Sequence, residues 1–194
     1  MAHYQGQIDW NALAGDDTAF VFIKATEGVS HVDPRFEENW RGARRAGILR
    51  GAYHYFTPCL PGRAQAEHFL ATVPEALQTL PPVIDAEDLG PCAAGSGVAD
   101  ATGYIIDFIE YIEVERGVRP IIYTTRRFYE RHLSEAFADE RFWLSDFSGR
   151  PDYGPKSWVF WQYTDRGRRR GISGPVDLNV FAGTDTELRA LASP

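Results

Sequence analysis

"PPVIDAEDLG", residues 81–90, opens as a buried strand and then places two acids, Asp85 and Glu87, two positions apart. In a strand, side chains at i and i+2 share a face and lie about 6.6 Å apart along the backbone. Val83, Asp85 and Glu87 therefore point one way, and Ile84 and Ala86 point the other. One reading is a strand end running into a solvated loop, where acids cost little. The other is a pair of carboxylates aimed deliberately at one site, and the surrounding chain has to decide between them.

Further short apolar, β-branched and aromatic runs read as strands: residues 19–26, 49–56, 81–88, 119–125, 141–147, 157–164 and 176–183. Between the early ones lie helix-compatible stretches. "DPRFEENWRGARRAG" spaces Phe36, Trp40 and Ala43 helically and stops at Gly47, a C-terminal cap residue. "GRAQAEHFLATV" behaves similarly. So does "ATGYIIDFIEYIEVERG", with Tyr104, Phe108, Tyr111 and Ile112 on one stripe. The last strands are joined by loops too short for full helices.

Alternating strand and helix implies parallel pairing, in an open doubly wound sheet or in a closed barrel. Neither a GxGxxG nor a GxxxxGK[ST] phosphate loop occurs, and "GSG" at 95–97 is a lone fragment. The sequence thus reads as an α/β chain folding into an irregular β/α barrel, whose chemistry sits where the strands end. Those ends supply Lys24, Thr26 and Glu27, then Tyr53 and Tyr55, Asp85 and Glu87, Tyr123 and Thr125, Trp143 and Ser145, Gln162, and Asp177 with Asn179. Asp85, Glu87 and Asp177 among aromatic rings around one mouth look like a sugar site, because rings cover the apolar faces of pyranoses and carboxylates serve acetal hydrolysis.

Composition narrows the alternatives. At 194 residues and 44% hydrophobic content, residues 1–194 read as one domain with a substantial core. The formal charge of −7 argues against a nucleic-acid partner, although "DRGRRRG" at 165–171 cuts against that average. No apolar run is long enough for a membrane span, and "MAHYQGQIDW" lacks the layout of a secretory signal, so export is expected to use another route. Cys59 and Cys92 fit no metal-site spacing. Each follows a strand by a few residues, so two readings stand: a disulfide between adjacent loops, or two free thiols. His54 alternates away from Tyr53 and Tyr55 and reads as a hydrogen-bonded residue behind the site. Lys24 with Glu27 reads as an ion pair or as ligand contacts. Trp158 and Trp161 read as core, and Ser145 has no triad partner.

The blocks "HYQGQIDW", "FVFIKATEG", "DPRFEENWRGARRAGILRGAYHYF", "PPVIDAE", "IIYTT", "FWQY" and "GISGPVDLNVF" occur in an order that resembles the glycoside hydrolase family 25 lysozymes, the Chalaropsis-type muramidases. The resemblance runs from His3 to about Gly183. It implies a flattened, irregular, TIM-like β/α barrel that cleaves the β-1,4 bond between N-acetylmuramic acid and N-acetylglucosamine. It implies Glu87 as general acid and base, Asp85 as the carboxylate that steadies the substrate's acetamido group or developing positive charge, and Asp177 as the acid of the last strand. Tyr53, Tyr55, Tyr123, Trp143 and Gln162 fall where the family lines its groove, and no metal or other cofactor is implied. The partner is the glycan of peptidoglycan, and action outside the cell or on its wall follows. Burial beside Asp85 is expected to raise the Glu87 pKa while Asp85 stays ionised.

One departure bears on activity. The family's strand ahead of "HYQG" reads roughly G-[IVF]-D-V-S, and its Asp would fall one residue before Met1. The expectation is a chain begun at an internal GTG codon, with the first strand cut to a stub, weakened activity, and a seam that exposes the "AFVFIKAT" edge and invites a homodimer. The rival functions are a glycan-binding module that lost its first carboxylate, and a chitin hydrolase.

Overall fold

The computed structural model describes residues 1–87, 92, 101–156 and 158–192. Asp88, the "GSG" fragment and Ser157 lie outside them. Eight strands form one sheet: β1 Phe20–Glu27, β2 His31–Val32, β3 Leu49–Tyr55, β4 Val83–Asp85, β5 Ile121–Thr125, β6 Phe142–Ser145, β7 Phe160–Gly167 and β8 Val176–Phe181. Their spatial order is β2-β1-β3-β4-β5-β6-β7-β8. Pairing is parallel from β1 through β3, β4, β5 and β6 to β7, as strand and helix in alternation predict. β8 instead returns antiparallel on β7. Residues 168–175 are too few for a crossover and suffice for a hairpin. β2 is also antiparallel to β1, and its exposed "HV" dipeptide carries no strand signal.

The helices α2 (Phe36–Arg45), α3 (Gly62–Thr72) and α4 (Ala101–Arg116) pack on one face of the sheet. Their core partners there include Ile23, Ala25, Ile84, Ala86 and Ile122. α2 ends at Gly47, whose φ of +72° is the left-handed conformation that closes helices. α4 is rotated from its expected stripe. Ile105, Phe108, Ile109 and Ile112 are buried, whereas Tyr104 and Tyr111 sit at the rim, where a phenol keeps access to water. The other face of the sheet carries Phe22, Val83, Ile121, Tyr123, Trp143 and Phe160, packed with Leu188 and Ala192 from the C-terminal helix α6 (Asp185–Leu191) and the residue after it. Val83 and Ile84 thus fall on opposite faces, as their alternation requires. Two short helices lacked a sequence signal. They are α1 (Trp10–Ala14) and α5 (Arg126–Phe128), the latter continuing into a π turn over Tyr129–Leu133.

The strand order is linear, and among the described residues no ladder joins β8 to β1 or β2. The sheet is therefore a curled half-barrel in place of the closed TIM-like ring expected. The seam is also narrower than the sequence implied. The Met1 nitrogen donates to Phe22 O at 2.8 Å, and Lys24 N donates to Met1 O at 2.8 Å, so residues 1–2 line the outer edge of β1. β2 covers Thr26 and Glu27. Across the gap, Phe20 reaches Phe160 with ring centroids 5.0 Å apart, and Phe160 reaches Phe181 at 5.3 Å. Burying a phenylalanine contributes about 2–3 kcal/mol, so this cluster holds the two ends of the sheet together without hydrogen bonds.

Two internal ties fix the loops and strands behind the mouth. Cys59 and Cys92 form a disulfide with Cα atoms 5.7 Å apart, which settles the two readings of these cysteines in favour of the adjacent-loop one. Closing a loop of 33 residues stabilises the fold by about 3–4 kcal/mol in the chain-entropy account. His54, fully buried and stacked on Phe108, joins Thr26 Oγ1 at 2.8 Å to Gln65 Oε1 at 3.1 Å, linking β1, β3 and α3.

Burial holds His54 neutral, with a pKa lowered to about 3. The unfolded chain binds that proton near pH 6.5, so stability is full above 6.5 and declines as pH falls toward 3. Urea unfolding of the parent and of His54→Gln at pH 7 and pH 4 checks this. The parent is expected to lose about 3 kcal/mol more than the variant over that interval. Equal losses would show that His54 is not held neutral.

Candidate active site

Parallel register stacks the site in two layers on the face opposite α2, α3 and α4. Glu27 pairs with Tyr55, Tyr55 with Asp85, Asp85 with Tyr123, and Tyr123 with Trp143, so these five lie at one level. One step further along the strands, Thr125, Ser145, Gln162 and Asn179 share the next level. Glu87 follows β4 at that height, with its carbonyl accepting from Thr125 Oγ1 at 3.4 Å. The ten residues expected to be catalytic or substrate-binding line one cleft of about 1080 Å³: Lys24, Glu27, Tyr53, Tyr55, Asp85, Glu87, Tyr123, Trp143, Gln162 and Asp177. Of the other strand-end residues, Thr125, Ser145 and Asn179 join them, and Thr26 bonds to His54 instead.

Most of this lining is locked by hydrogen bonds. Gln162 Oε1 accepts from Tyr123 Oη at 2.5 Å and from Ser145 Oγ at 2.9 Å. The Trp143 indole donates to Asn179 Oδ1 at 2.9 Å, which ties β6 to β8. Lys24 is buried, pairs with Glu27 at 2.7 Å, and lies 4.9 Å from the centre of the Tyr55 ring. The two sequence readings of Lys24 and Glu27 are therefore compatible, since the pair is made inside the cleft.

Asp85 departs from this pattern of satisfied groups. It is only 9% exposed, and its Oδ1 is closed off from solvent with no hydrogen-bond partner among the described residues. Burial, followed by the charge of Glu87, pushes its pKa well above the ordinary carboxylate range, and the Lys24 ammonium pulls the other way. This reverses part of the electrostatic expectation. Burial falls mainly on Asp85, which was expected to stay readily ionised, while Glu87 is only half-buried. Burial and the charge of Asp85 likewise push the Tyr53 hydroxyl up, so it remains a neutral donor. Asp177 sits at the open lip of the cleft, where solvent screens the upward push of its surroundings.

Sequence reading passed over several residues at the same mouth. Phe147 is 54% exposed and lines the cleft. It continues the alternation of Trp143 and Ser145 by one more step, a signal that was available. Tyr4, 75% exposed, lines the cleft from the turn His3–Gln5. Asp33 is buried and accepts from the His3 backbone at 3.0 Å, pairs with the His3 ring at 2.7 Å, and accepts from Arg35 N at 2.9 Å. It thereby pins the start of the chain beside β1, and a lone acid in "HVDPRF" announced nothing of the kind. Trp158 and Trp161 pack against one another away from the cleft, the Trp161 indole donating to Asp146 O.

The model of glycosyl hydrolases family 25 matches residues 1–172. Lysozyme M1 of Streptomyces globisporus is 34% identical to the chain, over all of it and 70% of that protein. Among solved structures, a bacterial lysozyme from Streptomyces coelicolor superposes with a TM-score of 0.91 at 34% identity, covering 99% of this chain and 94% of that one. A family 25 glycosyl hydrolase from Bacillus anthracis superposes with a TM-score of 0.88 at 37% identity, over 98% of this chain and 90% of that one. The fold, the cleft and these likenesses agree: the chain belongs to glycosyl hydrolase family 25.

Proposed function

We propose that this peptidoglycan hydrolase of the lysozyme type cleaves the β-1,4 bond on the reducing side of N-acetylmuramic acid, with Glu87 and Asp85 in distinct roles on one catalytic domain spanning residues 1–194. The carrying observation is the buried Asp85 carboxylate on the cleft wall beside Glu87, with its Oδ1 unpartnered among the described residues. A buried carboxylate short of donors is costly, and part of that cost is recovered when a ligand N–H reaches the carboxylate from the cleft. The acetamido N–H of the sugar is such a donor.

In this reading Asp85 accepts that N–H and turns the acetamido oxygen toward C1. Glu87 donates its proton to the glycosidic oxygen as the C1–O bond breaks, and the acetamido oxygen closes on C1. Water then opens the ring, giving its proton to Glu87 and its hydroxyl to C1, with net retention. Asp85 carries the positive charge that grows on the acetamido group, which a nearby ionised carboxylate stabilises. Tyr123 and Trp143 form the cleft floor on which sugar rings stack, and Asp177 lies at the lip. Action on the wall outside the cytoplasm follows from the substrate. No helix among the described residues is long and apolar enough to cross a membrane. A dimer through the seam would have to use the part of the β1 edge that residues 1–2 and β2 leave uncovered.

Glu87→Gln is expected to slow clearing of a cell-wall suspension at least a hundredfold, with an unchanged melting temperature, because only the transferable proton is removed. Activity within about tenfold of the parent rejects the role. A folded variant series in which even the parent clears nothing would favour the glycan-binding module.

Asp85 has a two-sided signature. Its raised pKa places the acid limb of kcat/KM above the usual carboxylate range, with activity lost as pH falls through it. Because the folded chain holds the Asp85 proton more tightly than the unfolded chain does, ionisation at neutral pH costs stability. Asp85→Asn should therefore lower kcat more than a hundredfold, remove that limb from the residual activity, and melt at a higher temperature than the parent. A lower melting temperature, or an effect on KM alone, contradicts the assignment.

A further inference from the structure

Arg168, Arg169 and Arg170 occupy the turn of the β7–β8 hairpin, and the function above makes no use of them. The turn is a fixed platform. Asp9 N donates to Gly171 O at 2.9 Å, Arg170 N donates to Asp16 Oδ2 at 2.9 Å, and Ile172 N donates to Arg169 O at 3.2 Å. Gly171 has φ +86° and lies so close to α1 that an added Cβ would sit 2.3 Å from Asp9 O, so no other residue fits there. The neighbouring acids are engaged elsewhere. Asp165 faces Arg166 at 3.6 Å, Asp9 caps α1 through Asn11 N and Ala12 N, and Asp16 holds the Arg170 backbone. The three guanidiniums of Arg168–Arg170 have no carboxylate within salt-bridge distance among the described residues, and Arg169 lines the catalytic cleft.

The charge balance gives this platform a purpose. The chain carries −7, so an anionic substrate is repelled on average. Three adjacent guanidiniums free of salt bridges among the described residues, one of them lining the cleft, place a dense local positive charge where an anionic group of the substrate can be held. We propose that the hairpin turn at residues 168–170 is a binding site for the carboxylates of the stem peptides that project from the glycan strand lying in the cleft. This rests on the muramidase reading and adds to it. The enzyme grips the peptide part of its substrate as well as the sugars, through guanidinium–carboxylate pairs outside the reacting centre.

The test compares Arg168→Ala/Arg170→Ala with the parent on three insoluble substrates: intact peptidoglycan free of phosphodiester polymers, the same glycan stripped of peptides by an amidase, and walls that retain their phosphodiester polymers. On intact peptidoglycan the double variant should raise KM about tenfold with kcat unchanged. On the stripped glycan it should match the parent. Arg168→Lys/Arg170→Lys should recover most of the loss. The parent's KM on intact peptidoglycan should climb between 0.05 and 0.5 M salt more steeply than that of the double variant. Equal KM values for parent and double variant on intact peptidoglycan overturn the proposal, as does a loss that appears only on walls retaining phosphodiester polymers. Failure of the parent to hydrolyse any of the three overturns the muramidase reading instead, so the two failures are distinguishable.

Discussion

A single buried carboxylate sets the terms for the rest of this structure. Asp85 stands at the end of the central strand β4, among Tyr53, Tyr123 and Glu87, with one oxygen unpartnered among the described residues. Folding gains nothing from such a group. Desolvation disfavours its charge, and Glu87 disfavours it further. The group is tolerable only because the surrounding frame is rigid and otherwise satisfied: Tyr123 and Ser145 on Gln162, Trp143 on Asn179, and Lys24 held between Glu27 and Tyr55. In the proposed function, stability lost at this carboxylate is available to a ligand that supplies a donor from the cleft, as in a preformed site that trades folding stability for differential binding.

The frame also explains why a sheet that does not close still holds a defined cleft. Parallel register from β1 to β7 brings residues from five strands to one level, and the antiparallel β8 delivers Asp177 and Asn179 from the far side. The open edge is bridged by aromatic packing of Phe20, Phe160 and Phe181. Behind the mouth, His54 joins two strands to α3, and the Cys59–Cys92 disulfide ties the loop after β3 to the segment that follows Glu87. Both ties lie next to residues that must be placed accurately, and neither faces the substrate.

Much of this was legible in the sequence because alternation is a local property. Val83, Asp85 and Glu87 on one face, Tyr53 and Tyr55 on one face, and Asp177 with Asn179 on one face follow from the period of two alone, and all of them line the cleft. The interplay between strands was less legible. The sense of β8 was left unstated, although the shortness of residues 168–175 already demanded a hairpin. The two-residue β2 folds back on β1 just four to six residues earlier but its "HV" carries no strand signal, and the anchoring of His3 by Asp33 depends on a partner 30 residues away that leaves no local trace. The phase of α4 failed because tyrosine counts as apolar in a stripe yet prefers the rim. Ordinary electrostatic reasoning placed a perturbed carboxyl at the site but did not foresee how strongly burial acts on Asp85, since relative burial within a pair two residues apart is decided by the fold.

The central claim is that the cleft hydrolyses the bond on the reducing side of N-acetylmuramic acid by way of Glu87 and Asp85. The most direct measurement is to digest purified peptidoglycan, reduce the products with borohydride, and identify by mass spectrometry which sugar has become an alcohol. Muramitol ends, absent from the Glu87→Gln digest, are the result this account predicts. Glucosaminitol ends, or muramitol ends formed equally by the variant, would contradict it.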